Sequence, residues 1–353
     1  MILNTYLTFI KDSFLNIFLS KNYDLFYVVE NANWSTDWDG KYIVDNLNKQ
    51  KLIRSRITTT TFGLRNKILH FGSVNTFISE NGPKIIHPSN KIILTWFHVS
   101  PNDPRIKYIP ELNTKAQAIH TSCNLTKNKL IQLGLEEEKI IVIPLGVDLS
   151  IFQPCTSSEK LKIRKELGLP QNKIIIGSFQ KDGNGWKEGL TPKMIKGPDI
   201  FCDIIERLAE RLPIYALLTG PARGYVKKRL ENAHIPYKHK FLKNYPDIIN
   251  FYKALDLYLV TSRAEGGPKA LLESMACGIP IISTSVGMTP DIIIDLQNGI
   301  IIDTDIKNST EKIISLIEDN EKLEKILKKE IEAIKKFNWE KIAIEYFEKI
   351  YEK

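Results

Sequence analysis

The stretch that decides the fold is AEGGPKALLESMACGIP, residues Ala264 to Pro280. Its glycine pair is followed by Pro268, which suits the first turn of a helix because proline has no N–H to leave unpaired there. The residues that follow are mostly good helix formers up to Gly278, which suits the left-handed position that closes a helix. We therefore predict a short helix, about two to three turns long, beginning near Pro268.

Apolar runs flank this helix on both sides. LDLYLVT at 255–261 and IPIIS at 279–283 each predict a buried strand. A strand, a glycine-rich turn and a helix place backbone N–H groups and a helix dipole at the carboxyl edge of a sheet, where phosphate groups bind. Glu265 and Glu273 flank this site and could accept hydrogen bonds from sugar hydroxyls. Taken alone, they are more simply a helix cap and a solvated glutamate.

The rest of the chain alternates strand and helix patterns, which predicts an α/β protein with mainly parallel sheets. Residues 145–154 (LGVDLSIFQP) lack periodicity and carry glycine and proline, as a bridge between domains does. We place one domain at 1–150 and a second at 151–335. In the first domain the predicted strands are Leu25–Glu30, Ile57–Thr61, Lys84–His87, Ile92–Phe97, Ala116–Ser122 and Ile140–Pro144.

Composition is that of an ordinary globular protein with room for two cores. The chain has 353 residues, of which 43% are hydrophobic and 25% charged. No uncharged apolar stretch reaches the roughly 18 residues of a membrane span, and the first 20 residues lack a basic leader. The four cysteines are scattered without a CxxC pair, which favours reduced thiols over a zinc site. We expect a cytoplasmic protein.

The formal net charge of +8 raises the question of a nucleic-acid partner. Lysine and arginine exceed the acids by 17 to 13 in residues 1–150 and by 32 to 28 in the remainder, so each half carries +4. This even distribution argues against nucleic-acid binding. The densest basic stretch is 223–243, which we interpret as a solvated face, with attraction to an anionic membrane surface or a glycan left open.

Five segments, in a fixed order, resemble those of one enzyme family. Glu265 and Glu273 match the E-x7-E signature of the retaining glycosyltransferases of family 4, which have the GT-B architecture. The interdomain segment, the basic residue after the first strand of the donor domain, a glycine turn and a closing F-x-W helix also match. These four are found at Ile143–Pro154, at Lys196 and Gly197, at Gly287 and at Phe337–Tyr351. The resemblance covers roughly residues 115–353.

The resemblance implies two Rossmann-like domains facing each other across a cleft, with a closing helix at 336–353 crossing back to the first. It also implies catalytic roles for Glu265, His98 and Lys196. Glu265 would contact the transferred sugar, and Glu273 the nucleotide ribose. The diphosphate would be met by Gly266, Gly267, Pro268 and Lys269, and neutralised by Lys196 with Lys181. An insertion at 182–193 stretches the spacing between these two lysines.

The first domain carries a weaker match. His98, in TWFHVS, resembles the histidine with which the family reaches the donor sugar from its acceptor domain. The usual glycine-rich turn after the first strand is replaced by NANWSTDWDG. In this loop the side chains of Trp34, Asp37, Trp38 and Asp39 could shape an acceptor pocket, because indoles stack on sugar rings and carboxylates accept their hydroxyls. An ordinary surface loop explains them equally well.

Two further patterns, a D-x-D tripeptide and an amphipathic N-terminal segment, have simpler explanations. Asp37-Trp38-Asp39 and Asp303-Thr304-Asp305 spell the D-x-D of metal-dependent glycosyltransferases, but neither has the context of that fold, so we expect no metal and no cofactor besides the donor. The amphipathic segment Ile2 to Leu19 could rest on a membrane. We expect it to pack on the protein's own core, because few basic residues accompany it.

These observations predict a retaining hexosyltransferase. It would move a hexose from a nucleotide diphosphate sugar to a hydroxyl of a glycan or lipid-linked acceptor, in cell-surface polysaccharide synthesis. Its partners would be the donor, the acceptor and, if any, the cytoplasmic face of the membrane. A nucleotide-sugar epimerase of the same architecture and a non-catalytic nucleotide-sugar binding protein are the alternatives.

Overall fold

A computed structural model describes residues 2–30, 35–100 and 102–352. The chain divides into two compact units: unit 1 comprises Met1–Gly146 and Phe337–Lys353, and unit 2 comprises Val147–Lys336. Within the described residues, each unit is built on one parallel sheet of six strands with helices connecting them. The predicted fold class, two Rossmann-like α/β domains, is confirmed.

Unit 1 is assembled largely from the first 142 residues and one helix near the end of the chain. Its strands are β1 Leu25–Val28, β2 Ser55–Thr58, β3 Ile68–Phe71, the short β4 Ile78–Ser79 and β5 Gly82–Pro83, β6 Lys91–Thr95, β7 Ala118–Thr121 and β8 Ile140–Val142. Its helices are α1 Ile2–Leu19, α2 Ser35–Lys49, α3 Val74–Phe77, α4 Ile109–Lys115, α5 Asn124–Gln132 and, late in the sequence, α14 Trp339–Tyr346.

Unit 2 is continuous in sequence. Its strands are β9 Ile174–Phe179, β10 Ile214–Thr219, β11 Tyr237–Lys240, β12 Leu257–Val260, β13 Ile281–Thr284 and β14 Ile300–Ile302. Its helices are α6 Ser157–Glu166, α7 Pro198–Ala209, α8 Gly224–Asn232, α9 Ile248–Lys253, α10 Lys269–Ala276, α11 Thr289–Ile292, α12 Ile306–Glu318 and α13 Asn320–Ile334.

The order of the strands fixes where each unit can bind a ligand. The sheet of unit 1 runs β2-β1-β3-β6-β7-β8, and that of unit 2 runs β11-β10-β9-β12-β13-β14. In unit 2 the chain moves outward from β9 to β11, then returns to β12 on the other side of β9. The strand order therefore reverses between β9 and β12, and ligands of open α/β sheets bind in a crevice at the carboxyl ends of the strands at such a point.

Several local predictions for unit 1 are wrong. Lys84–His87, predicted as a strand, has no regular structure, and Ile85 there is fully exposed. The missed strand is β3, whose polar His70 interrupts the apolar run that marks a buried strand, although His70 itself is buried. Helix α2 begins at Ser35, so Asp37, Trp38 and Asp39 lie in its first turns and not in the loop predicted there.

Two buried histidines link the sheet of unit 1 to the end of α14 and to the residues that follow it. His70 Nδ1 lies 2.6 Å from the Tyr351 hydroxyl, and its Nε2 lies 2.8 Å from Thr95 Oγ1. His120 contacts the same threonine at 3.0 Å and the Tyr346 hydroxyl at 3.0 Å. Burial lowers the pKa of His120 to about 4 and that of His70 well below its usual value. Both rings are therefore neutral in the folded protein at neutral pH.

A fully buried ion pair holds the start of the 182–193 insertion in unit 2. Arg223 lies 3.2 Å from Asp182, and both side chains are completely shielded from solvent. The guanidinium also donates to the carbonyl oxygens of Ser178 at 3.1 Å and Gln180 at 2.8 Å. Arg223 thus belongs to the core, which corrects its assignment to a solvated basic face. Because both charges are fully buried, removing one partner should be costly.

We expect the free energy of unfolding to fall as the pH drops below about 6.5, because the unfolded chain then protonates histidines that stay neutral in the folded state. Each buried histidine should contribute about 1.4 kcal/mol per pH unit until its folded pKa is reached. Urea unfolding of His120→Gln between pH 7 and 4 should show a shallower slope than the wild type. His87→Gln, at an exposed site, should keep the wild-type slope. Equal slopes in all three proteins would contradict the assignment.

Replacing Arg223 by methionine should destabilise unit 2 by about 3–5 kcal/mol, because it leaves Asp182 as an uncompensated buried charge. Arg229→Met is the matched control, since Arg229 pairs with Asp203 and Glu206 near the surface and should cost about 1 kcal/mol or less. Urea denaturation followed by circular dichroism measures both. Similar losses in the two variants would show that burial does not set the strength of the Arg223 pair.

Candidate active site

The predicted donor residues of unit 2 gather at the carboxyl ends of its central strands. The loop after β9 carries Lys181 and Lys196, and the loop after β12 carries Glu265 and the glycine pair. The adjacent strand β13 is followed by Gly287. Because β9, β12 and β13 are parallel neighbours, their carboxyl ends meet at one edge of the sheet. This edge is the crevice left by the strand order.

Backbone contacts lock the first two of these loops together. Gly197 has a φ of +59°, and a Cβ there would lie 1.8 Å from the carbonyl oxygen of Thr261, so only glycine fits. The Thr261 hydroxyl donates to the Gly197 carbonyl at 2.9 Å. The backbone N–H of Arg263 donates to the carbonyl oxygen of Ile195 at 2.8 Å. The guanidinium of Arg263 donates to both carboxylate oxygens of Asp199. Lys196 and Glu265 are therefore presented by a rigid pair of loops.

Lys196 and Glu265 are in direct contact. The Lys196 ammonium lies 2.5 Å from Glu265 Oε1, and the Ser262 hydroxyl donates to the same oxygen at 2.8 Å. The two side chains are 26% and 15% exposed, respectively, so the pair faces the crevice while being partly shielded from water. This arrangement leaves one cation and one carboxylate within reach of a single ligand. The structure thus brings together two of the three predicted catalytic residues.

The insertion at 182–193 forms a hairpin that returns the chain to the site. Gly183 pairs with Pro192 in an antiparallel bridge, and the backbone N–H of Lys193 donates to the carbonyl oxygen of Asp182 at 2.7 Å. Partial burial lowers the pKa of Lys193, and the charges of Lys196 and Lys181 lower it further. The three lysines are therefore close enough to repel one another, and the charge of Glu265 partly offsets this effect on the pKa of Lys193.

The hairpin also presents an aromatic side chain. Trp186 is 67% exposed, and the Lys181 ammonium lies 3.7 Å from the centre of its ring. This distance is short for a cation–π contact, which attracts an ammonium group to the negative face of an indole. Lys181 is thus held despite the stretched spacing of its loop. The hairpin takes part in the site instead of separating its members.

Glu273 lies in α10 with its carboxylate engaged by two tyrosines. It is buried, with Oε2 accepting from the Tyr252 hydroxyl at 2.7 Å and Oε1 accepting from the Tyr245 hydroxyl. Burial, followed by the nearby Glu273 charge, raises the pKa of Tyr252 well above its usual value. Tyr252 therefore remains a donor. A ribose hydroxyl that reached Glu273 would have to share these oxygens or displace the less buried Tyr245.

The glycine turn before α10 is closely packed. Gly266 and Gly267 precede Pro268, which is the residue before the first helical one, Lys269. A Cβ at Gly287, where φ is +52°, would lie 2.5 Å from the Gly266 carbonyl oxygen, so the loop after β13 presses against this turn. Helix α7 begins at the same edge, and neither its N-cap residue, Gly197, nor that of α10, Pro268, makes a side-chain cap hydrogen bond.

The candidate residues of unit 1 are more scattered. Trp34 lies outside the described residues. Asp39 is buried, and its charge raises the pKa of Tyr27, after the larger effect of burial. Trp38 stands beside Lys41 and Tyr42, with the Lys41 ammonium 5.0 Å from its ring. His98 is exposed three residues after β6. The pKa of the nearby Asp103 is lowered, against the effect of burial, mainly by Arg105 and to a smaller extent by His98.

Sequence patterns missed three features of the site: Lys193, the Tyr245–Tyr252 pair around Glu273, and the Asp182–Arg223 ion pair. Each depends on how loops fold back on one another, so periodicity gives no signal for them. The one available hint was the isolated acid Asp182, three residues after the end of β9. Within the described part of the chain, no three His, Cys, Asp or Glu side chains come together as a metal site would require.

Comparison with known proteins bears on this site directly. Residues 190–333 match the family model of the group 1 glycosyl transferases, a segment that includes Lys193, Lys196, Glu265 and Glu273. The D-inositol 3-phosphate glycosyltransferase of Xylanimonas cellulosilytica is 25% identical over 242 residues, covering 65% of this chain and 55% of that protein. The lipopolysaccharide core biosynthesis mannosyltransferase LpsB of Rhizobium meliloti is 28% identical over 193 residues, covering 52% of each chain. The chain spans about half the length of these curated relatives.

A solved structure shares the whole fold. Anabaena HepE, crystallised with UDP and glucose, superposes with a TM-score of 0.73 at 16% identity, covering 93% of this chain and 99% of that one. At this identity the likeness establishes the fold. The segment 190–333, which carries Lys196 and Glu265, is thus similar in sequence to the group 1 glycosyl transferases, and the fold of the chain is similar to that of HepE.

Proposed function

We propose that the protein transfers a hexose from a nucleotide diphosphate sugar to a hydroxyl of a glycan or lipid-linked acceptor, with retention of anomeric configuration. The observation that carries the proposal is the Lys196–Glu265 pair, held at the crevice of unit 2 beside Lys181 and Lys193. Similar proteins point the same way: HepE was crystallised with UDP and glucose, and LpsB is a mannosyltransferase.

The lysines give the crevice the electrostatics that a diphosphate leaving group needs. Negative charge grows on the nucleoside diphosphate as the bond to the sugar breaks, and cations fixed in advance stabilise it. In the unliganded protein Lys196 is neutralised by Glu265, while Lys193 and Lys181 repel each other's charge. A bound diphosphate would relieve this repulsion. We propose that these cations serve in place of a metal ion.

Glu265 is placed to orient the sugar. Its carboxylate accepts from Lys196 and Ser262 through one oxygen, Oε1, so Oε2 can accept from a sugar hydroxyl. If Lys196 moves toward the diphosphate, Oε1 becomes available as well. The binding of the leaving group and the binding of the sugar would then be coupled through one ion pair. Glu273 would accept a hydrogen bond from a ribose hydroxyl, which would displace the hydroxyl of Tyr245 from Oε1.

The identities of donor and acceptor can be tested together. Thermal-shift measurements with UDP-, GDP- and ADP-sugars should select one donor, because a ligand of the folded state stabilises it by mass action. With that donor, release of nucleoside diphosphate that requires an acceptor supports the transferase. Conversion of the donor without an acceptor would replace the proposal by an epimerase, and tight binding without turnover by a binding protein.

Glu265→Gln should lower kcat by at least about 100-fold while leaving the thermal unfolding temperature nearly unchanged. The amide keeps the shape and the bond from Ser262 but loses the charge that pairs with Lys196 and orients the sugar. Steady-state kinetics with the selected donor measures the effect. Glu311→Gln, the same change at an exposed glutamate paired with Arg211, is the control and should be fully active. Undiminished turnover in Glu265→Gln would remove this residue from the mechanism.

Trp186→Leu should raise the KM for the donor about 2–5-fold with little change in kcat, because loss of an exposed cation–π contact of about 0.5–1 kcal/mol releases Lys181. Trp186→Phe keeps an aromatic face and should restore most of the affinity. Because Trp186 is mostly exposed, neither change should alter stability. The same KM in the leucine variant as in the wild type would show that the indole does not position Lys181.

A further inference from the structure

Helix α1 attaches to unit 1 through its polar side. Asp12 Oδ2 accepts from both the N–H and the hydroxyl of Thr59 at 2.8 Å. Asn16 is completely buried, and its amide donates to the Thr60 carbonyl at 2.9 Å and to Thr58 Oγ1 at 3.3 Å. The polar residues of the helix thus face the protein. This is the reverse of a helix that packs its apolar face on the core, so that expectation is wrong.

The apolar residues of α1 point to solvent. Leu7, Ile10, Phe14, Ile17 and Phe18 are each 47–60% exposed. Their spacing of three or four residues, with Phe18 next to Ile17, puts them on one side of the helix. The rings of Phe14 and Phe18 lie 4.4 Å apart and form a continuous aromatic surface. A soluble protein rarely leaves a row of this kind uncovered without a binding role.

The row continues onto a neighbouring loop. A Cβ at Gly63 would lie 2.9 Å from the Ile17 side chain, so the loop that carries Phe62 touches the second half of α1. Phe62 is 61% exposed, and it lines a shallow cavity together with Ile85, which is completely exposed. We name Leu7, Ile10, Phe14, Ile17, Phe18, Phe62 and Ile85 the α1 surface.

Charge indicates what covers this surface. Between Leu7 and Leu19 the charged residues are Lys11, which is exposed, and Asp12, which is turned inward onto Thr59 and Arg56. Lys21 follows the helix, and Arg65 stands beside Phe62, both exposed. Apolar side chains flanked by cations suit the boundary between acyl chains and anionic headgroups. We propose that unit 1 docks through the α1 surface onto an anionic lipid surface.

Charge also favours lipid over a second copy of the chain. A symmetric pairing through this face would bring Lys11 and its counterpart into one interface, where the exposed part of the helix offers no acid to compensate them. No helix in the described residues is long and apolar enough to cross a membrane. The proposed docking does not depend on the proposed transferase activity, since it uses none of the site residues.

Co-sedimentation with vesicles tests the proposal. The full chain should bind vesicles of phosphatidylglycerol and phosphatidylcholine mixed 1:1, and at least about 10-fold more weakly vesicles of phosphatidylcholine alone. Phe14→Glu should reduce binding to the mixed vesicles at least about 10-fold, because it puts a charge into the apolar row. Leu161→Glu is the matched control, as Leu161 is 50% exposed on α6 of unit 2, and it should bind like the wild type.

Thermal unfolding and circular dichroism establish that Phe14→Glu is folded, and Leu7→Glu serves as a second variant on the same face. Failure of the wild type to bind mixed vesicles would overturn the proposal, as would equal binding by both α1 variants and the wild type. Light scattering that showed a dimer dissociated by Phe14→Glu, without vesicle binding, would assign the surface to a second copy instead. Because no donor or acceptor is present, each of these results is independent of the transferase assay.

Discussion

The approach of the Gly197 backbone to the Thr261 carbonyl oxygen is the contact on which the site of unit 2 depends. A side chain at residue 197 would collide with that oxygen at 1.8 Å. Only because this position is glycine can the loop after β9 lie against the loop after β12. Lys196 immediately precedes the contact, and Glu265 follows it by four residues, so their ion pair is a consequence of backbone packing. The chemistry of the site is thus set by a position that has no side chain.

A second theme of unit 2 is the concentration of positive charge around one carboxylate. Lys181, Lys193 and Lys196 come from a single loop that folds back on itself, and the pKa of Lys193 records their mutual repulsion. Like charges held this close repel one another and raise the free energy of the protein. An anion that binds between them offsets the repulsion and lowers the free energy. The hairpin that gathers them is fastened by the buried Asp182–Arg223 pair. The same loop therefore contributes to the stability of unit 2, through Asp182, and to anion binding, through its lysines.

The sequence predicted best what depends on neighbours along the chain. The strands on either side of Glu265 and the helix that begins one residue after Pro268 follow from local patterns. Lys196 and Gly287 were singled out by the family resemblance. Lys193 was missed because the hairpin at 182–193 brings it to the site. Arg223 was missed because its partner in the buried ion pair, Asp182, lies far from it in sequence. For α1 the apolar periodicity was real, but periodicity says which residues share a face and not what that face contacts. His70 hid a central strand because its burial is made possible by Tyr351, which lies 281 residues away.

The two units differ in how the chain supplies them. Unit 2 is complete once residue 336 has been made, whereas unit 1 needs Phe337–Lys353 as well as the first 146 residues. During translation the ribosome therefore releases every part of unit 2 first, although its sequence comes second. Until Tyr346 and Tyr351 emerge, His70 and His120 lack their phenolic partners. The unit that is begun first is finished last, an inversion of the usual order in which nascent domains mature.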